Sequence, residues 1–270
     1  MNIDYTFHSH TFRCKHASGD IEDFVLKAID NGIKTYGVSD HVFLPGNPTP
    51  WMRGSYQELD NYIEVFNYVK NKYQSQIQMY LGFECEYSDY YLDYYCYLLK
   101  EKGFDYLICG QHNGFDSSGK PYFYLDDTDE RLHLYKNDII NAMKSGLFLY
   151  IAHPDLFFLQ ATEVTEIYKQ ITKEIIDAAI KYDAVLEVNI HGLLRKHERN
   201  NKVYLDYPCE YFWKEVAKTN IRVVLGGDYH EPWEISDGDI KKQLESLIDK
   251  CGIKLSDINQ IYKKYKSKHK

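Results

Sequence analysis

One unit recurs along this chain and constrains its fold more than anything else in the sequence. A short apolar run rich in β-branched and aromatic residues ends in a polar or ionisable cluster, and a helical stretch follows. IDYTF leads into His8, Ser9 and His10, IKTYGVS into Asp40 and His41, and IQMYLGF into Glu84. FDYLICG leads into Gln111, His112 and Asn113, and LFLYIA into His153, Pro154 and Asp155. AVLEV precedes Asn189, and IRVVLGG precedes Asp228, Tyr229 and His230. Between these runs lie helix candidates. The first has apolar residues at 21, 24, 25, 28 and 29, an N-cap at Ser18 or Asp20 and a stop at Gly32. The others cover 56–73, 90–102, 129–145, 165–182, 208–219 and 237–250. Seven alternating strand–helix units predict an α/β fold with parallel strands, either a barrel or a large doubly wound sheet. Right-handed crossovers place every strand C-terminus on one face, the face that carries the active site in barrels. The seven clusters are therefore expected to converge.

The chain of 270 residues is 44% hydrophobic, which is enough for a sizeable core. No linker or low-complexity segment interrupts it, so residues 1–270 are expected to form one domain. The net charge of -8 argues against a broad nucleic-acid footprint, though not against a local basic pocket for a small phosphate. Cys14, Cys85, Cys96, Cys109, Cys209 and Cys251 form no C-x-x-C pair and no zinc-finger spacing. They read as free, buried thiols in a reducing compartment. MNIDYTFHSHTF has no basic segment followed by an apolar one, and no apolar run approaches the roughly 20 residues of a membrane span. A soluble, cytoplasmic protein without a membrane partner is expected.

The chemistry lies in the clusters. His8 and His10 are two apart at a strand end, so extended backbone points both imidazoles to one side, where they can chelate a cation. Asp228 and His230 repeat that spacing, and Glu84 offers a carboxylate able to bridge two cations. Each histidine alone is an ordinary residue. Together, seven of the eleven (His8, His10, His16, His41, His112, His153 and His230) stand at strand ends or just after the first. Imidazole and carboxylate donors suit zinc, iron and manganese. His133 and His269 read as surface residues.

The ordered set HSH, His16 followed by ASG, then SDH, GFE, GQH, AHPD and GGDYH resembles the PHP superfamily, named for polymerase and histidinol phosphatase. The resemblance covers roughly residues 4 to 232. It implies a distorted, TIM-like (β/α) barrel of seven strands holding two or three divalent metal ions (zinc, manganese or iron). On matching positions, His8, His10, Glu84 and Asp228 hold one metal, and His16, His41 and His230 hold a second. Glu84 reaches a third, completed by His112 and His153. The implied chemistry is attack of a metal-activated hydroxide on a phosphoester, with Asp228 both a ligand and a proton shuttle.

EVNIHGLLRK (187–196) followed by YPCEYFW (207–213) resembles the longer histidinol-phosphatase branch. This implies hydrolysis of L-histidinol phosphate to L-histidinol and phosphate, in histidine biosynthesis. Arg195 is the expected phosphate clamp, because its planar fork matches phosphate oxygens. Asn189 is expected to orient the small phosphorylated substrate, and Arg13 and Lys15, between His10 and His16, are further phosphate-binding candidates. His191 stands where a small polar residue is expected. After His153 the branch leads one to expect a basic residue, and this chain has Leu156, Phe157, Phe158, Leu159 and Gln160 instead. Another phosphoester (a nucleotide, a cyclic diester or a DNA 3′ end) is the alternative substrate, and a metal-binding regulator without turnover is the alternative class. The loop 42–55 is read as either a lid or packing, and the basic run from Ile261 as a solvated, frayed helix end.

Overall fold

The computed structural model describes residues 3–124, 128–195, 198–199 and 202–269. β1 (Tyr5–Thr6), β2 (Thr35–Val38), β3 (Gln78–Cys85) and β4 (Tyr106–Cys109) form one curled parallel sheet in that order. α1 (Ile21–Asp30), α2 (Leu59–Tyr73) and α3 (Leu92–Lys100) connect them. A hairpin of β5 (Asn113–Phe115) and β6 (Pro121–Phe123) leads to α4 (Asp129–Ser145) and α5 (Glu166–Lys181). β7 (Val185–Asn189) follows, then a second hairpin of β8 (Glu198–Arg199) and β9 (Lys202–Val203). After α6 (Glu210–Ala217), β10 (Arg222–Gly226) pairs with β7 in parallel, and α7 (Gly238–Cys251) and α8 (Ile258–Lys268) complete the order.

The local signals act as the sequence suggests. Of the two N-cap candidates for α1, Asp20 is the one used, and Asp23 closes a capping box with it. Gly32, at φ 77°, ends the turn. The strand residues divide by alternation. Tyr106, Ile108, Val185 and Val224 pack in one apolar cluster, while Leu107, Cys109, Leu186, Val188, Val223 and Leu225 face the larger cluster shared with the helices.

One expectation is met in part and one is corrected. Of the seven expected parallel runs, six form strands among the described residues. The run 147–152 is reduced to single-residue bridges at Ile151, which pairs with Cys109 on one side and Leu186 on the other. It ends where the chain turns into the left-handed region at His153 (φ 33°) and enters Pro154, which has no amide to extend a ladder. The architecture is a four-stranded parallel sheet and a parallel pair joined through Ile151, with a further bridge from Ser9 to Tyr229.

The C-terminal run is not a frayed end. Ile258, Ile261 and Tyr265 of α8 are buried against Phe7, Tyr106 and Tyr150. The Tyr265 hydroxyl donates to the Leu147 carbonyl at 2.9 Å and the Tyr262 ring lies 4.4 Å from that of Tyr80. Lys263, Lys264 and Lys268 occupy the outer face, so the helix is amphipathic and the basic composition hides its apolar stripe. All six cysteines are free, and five of them are buried. No helix of the described residues is long and apolar enough to cross a membrane.

Candidate metal centre

The strand ends deliver their side chains to one point, and Glu84 lies at its middle. The Glu84 carboxylate, on β3, is 2.8 Å from His153 Nε2, 3.0 Å from His41 Nδ1 and 3.2 Å from His8 Nε2. His10 Nε2 lies 3.5 Å away and His112 Nε2 3.7 Å away. Asp228 Oδ1 sits 3.0 Å from His10 Nε2 and 3.4 Å from His8 Nε2. His16 and His230 close the ring, with their centroids 4.9 Å apart. Asp228 and His153 both hold positive φ, 49° and 33°. Non-glycine residues are uncommon there and the cost is on the order of 1–3 kcal/mol each, a form of strain that gathers at functional sites. Two glycines make space: a Cβ at Gly110 would stand 1.8 Å from Glu84 Oε1, and one at Gly226 would stand 2.0 Å from the Glu187 carboxylate.

Close approach alone does not distinguish a metal cluster from a hydrogen-bonded network. The unpaired atoms do. His8 Nε2, both nitrogens of His10, His41 Nδ1, His153 Nδ1 and Glu84 Oε2 are buried without a hydrogen-bond partner. Buried polar atoms are otherwise nearly always paired. Of these, His8 Nε2, His10 Nε2 and His41 Nδ1 all lie within 3.5 Å of the Glu84 carboxylate, as donors do when they converge on a common point. Three-donor sets with all atoms within 4.8 Å include His8–His10–Asp228, His16–His41–His230 and His8–Glu84–His153. The donor chemistry therefore fits divalent cations. The second set coincides with the trio implied for the second metal. His112 Nε2 lies 3.7 Å from Glu84 Oε1, beside the third set.

The field acts unevenly: the surrounding carboxylates outweigh burial and raise His8 and His112 above the ordinary imidazole value, while other members of the cluster are held in the form that binds metal. Burial alone would raise the carboxyl groups of Glu84 and Asp228, but the surrounding imidazoles outweigh it and hold both well below the usual range. Burial pushes His41 well below its ordinary value and takes His230 down to about 4. Neutral imidazole and ionised carboxylate are the forms that bind metal.

A layer of groups outside the cluster orients it, and the sequence pattern assigns these no role. Glu187 Oε2 accepts from His8 Nδ1 at 2.8 Å, and both are buried. Glu86 holds His112 Nδ1 at 3.3 Å and is itself bound through both oxygens by the buried Arg53. Asp40 takes the amide and hydroxyl of Thr11, which fixes the turn after His10. His191 lies 3.3 Å from Glu234 Oε1, with its ring 4.6 Å from that of His230. The available signal was the period of two: Glu86 shares a strand face with Glu84, and Glu187 shares one with Asn189.

Two of the expected substrate contacts, Arg13 and Asn189, are turned to protein partners instead. Arg13 is buried and turned to the Asp20 carboxylate, stacked 4.6 Å over the Phe12 ring, so its fork is occupied. Lys15 is exposed at the left-handed end of the 12–14 turn. Asn189 points inward: its Nδ2 donates to Asp228 Oδ2 at 2.9 Å and its Oδ1 accepts from the Gly192 amide at 2.7 Å. It orients Asp228 rather than facing a ligand. Arg195 is exposed and lines a cavity of about 240 Å3 that His112 also lines. Lys196 and His197 lie outside the described residues. The loop 42–55 is anchored by buried Val42, Phe43, Leu44 and Arg53, with Trp51 exposed at its tip.

The sequence signature of the PHP domain matches residues 6–191. The chain belongs to the PHP domain family. Among PHP relatives, a "Probable histidinol-phosphatase" of Deinococcus radiodurans is 26% identical over 241 residues, 84% of this chain and 86% of that protein. Another protein of that name, from Schizosaccharomyces pombe, is 24% identical over 271 residues, 91% of this chain and 86% of its own length. The fold is shared with the histidinol phosphate phosphatase of Lactococcus lactis, whose crystal structure holds zinc, L-histidinol and phosphate. The TM-score is 0.68 at 18% identity, covering 93% of this chain and 95% of that one.

Proposed function

We propose that this PHP protein is a metal-dependent phosphate monoester hydrolase, with residues 1–270 acting as one phosphoesterase domain. The observation that carries the proposal is the buried Glu84 carboxylate ringed by imidazoles, several of whose buried nitrogens have no hydrogen-bond partner. Two or three divalent ions, zinc, manganese or iron, are held by His8, His10, His16, His41, Glu84, His112, His153, Asp228 and His230. The bridges at Ile151 and Ser9 support the finer architectural reading, a distorted barrel of seven strands. When bound, the metals supply Lewis acidity and lower the pKa of water at the site.

The chain's own residues do the rest. Arg195 binds the phosphoryl oxygens with its fork. Asp228, held through Oδ2 by Asn189, keeps Oδ1 toward the cluster, where it takes a proton from the attacking water and passes it to the departing alkoxide. The names of the relatives and the ligands of the Lactococcus protein support L-histidinol phosphate as the monoester. A second reading, another monoester, is favoured by the apolar segment 156–160 where a basic residue is expected. The test is phosphate release by the manganese- or zinc-loaded protein on L-histidinol phosphate and on sugar and nucleotide monophosphates. His8→Ala/Asp228→Ala serves as the blank. A preference of about a hundredfold for histidinol phosphate establishes the assignment. No turnover with metals bound overturns the enzyme reading.

A further inference from the structure

Five of the six cysteines behave as small core residues, the usual place of a free thiol. Cys85, Cys109, Cys209 and Cys251 sit inside the larger apolar cluster, and Cys96 packs against it. Cys14 is as buried as any of them, at 0% exposure, yet belongs to neither apolar cluster. Its neighbours are groups of the metal centre instead. The sulfur and one nitrogen each of His10 and His230 lie within 4.8 Å of one another, as compact as the histidine and carboxylate sets beside them. Both nitrogens of the buried His10 lack a hydrogen-bond partner. His230 is common to this set and to His16–His41–His230, so the sulfur adjoins the second metal position.

Local backbone brings the sulfur there. Thr11 caps the 12–14 turn, with its amide and hydroxyl held by Asp40, and Lys15 closes the turn at φ 73°. Cys14 faces inward and Lys15 outward. The Cys14 carbonyl accepts from His16 Nδ1 at 2.7 Å, and the Asp228 carbonyl accepts from His230 Nδ1 at 2.8 Å. Each ring is left with Nε2 for a cation. The three imidazoles of this position are one short of the four donors of a tetrahedral zinc ion. Burial and the Asp40 carboxylate favour the protonated thiol, and the amides of His16 and Ala17 favour its anion. A divalent cation displaces that proton to solvent.

We propose that Cys14 is a sulfur donor at the second metal position, beside His16, His41 and His230, and that it makes this position select zinc over manganese. The inference rests on the metal-dependent reading of the centre and goes beyond it, since the family resemblance implies nitrogen and oxygen ligands only. Thiolate is a soft ligand suited to zinc, whereas manganese prefers oxygen donors.

The experiment reads coordination rather than turnover. The full chain is stripped with a chelator and reloaded with cobalt(II), in the wild type, Cys14→Ser and Cys14→Ala. A thiolate ligand adds a near-ultraviolet sulfur-to-cobalt charge-transfer band that imidazole and carboxylate do not give. The band is expected in the wild type and is expected to vanish in both variants, with cobalt still bound by mass spectrometry. Zinc-edge X-ray absorption of the zinc-loaded wild type, which needs no variant, is expected to show sulfur at about 2.3 Å. In competition, the preference for zinc over manganese should fall by about tenfold or more in Cys14→Ser. Bound cobalt without the band overturns the inference, as does a band unchanged in both variants or bound zinc without sulfur. A chain that takes up neither metal overturns the metal-centre reading and the donor with it. Phosphate release is followed on the same zinc-loaded preparation. If sulfur ligates zinc but no ester is cleaved, the phosphatase reading fails and the donor assignment survives. If esters are cleaved without a sulfur ligand, the reverse holds.

Discussion

His8 Nδ1 and Glu187 Oε2 are 2.8 Å apart, both fully buried, although 179 residues separate them in the chain. With Nδ1 held by that carboxylate, Nε2 is the nitrogen left to face Glu84 and Asp228. Such carboxylate–histidine pairs fix the tautomer and raise the basicity of a metal-binding imidazole. Glu187→Gln keeps the volume and removes the charge. It is expected to lower metal affinity or turnover by about 10- to 100-fold with the fold retained. Metal content by mass spectrometry and kcat on the same preparation check this, and wild-type values for both would sink the role.

Asp228→Asn separates ligation from proton transfer. If Asp228 shuttles a proton, the variant keeps its metals and loses about 10²- to 10⁴-fold in kcat, the range of general acid–base catalysis. Asn189→Ala releases Oδ2 of Asp228 and is expected to reduce kcat in the same direction, by less. A drop in bound metal matching the drop in kcat would instead make Asp228 a ligand alone.

Arg53 is buried and bound to Glu86, which in turn holds His112. Removing one partner of a buried pair leaves an uncompensated charge, so Arg53→Met is expected to cost about 3–5 kcal/mol. The double variant Arg53→Met/Glu86→Leu should recover a large part of that stability while still misplacing His112. Urea unfolding of the three proteins checks the cycle. A single variant as stable as wild type would contradict the pairing.

Helix α8 offers a contrast between two neighbouring positions. Ile261→Ala is expected to destabilise by about 2–5 kcal/mol, since it opens a void against the inner face of the sheet. Lys263→Ala, on the exposed face, should stay within about 0.5 kcal/mol. Similar values for the two would return the C-terminal run to the status of a loose end.

Metal removal should be visible in stability as well as activity. A ligand at 100 times its dissociation constant stabilises by about 2.7 kcal/mol. Dialysis against a chelator is thus expected to lower the thermal midpoint, with recovery on adding zinc or manganese. His41→Ala should blunt the metal response. A midpoint indifferent to chelator and metal would speak against a bound cluster.

The convergence of the histidines and carboxylates was legible in the sequence because it is a product of local order. A ligand at a strand end is announced by the apolar run before it, and seven such announcements in one direction imply one face. The orienting layer was not legible in this way. Glu86, Asp40 and Glu187 look like any other carboxylate near a strand end, and only their partners distinguish them. Arg13 shows the opposite failure. It lies between His10 and His16, near the metals in sequence, yet its guanidinium turns to Asp20.

By itself the sequence determined the alternation of strands and helices, the face on which the clusters meet and the donor types found there, because periodicity and capping act over a few residues. Tertiary structure decided how far each strand runs, which nitrogen of His8 is free to face the cluster, and that a lysine-rich tail buries Ile261 and Tyr265. It also decided that Cys14, alone of the six cysteines, lies outside the apolar clusters. Those outcomes depend on contacts between distant segments, such as His8 with Glu187 and Tyr265 with Leu147, and distance along a chain carries no information about which segments will share a buried space.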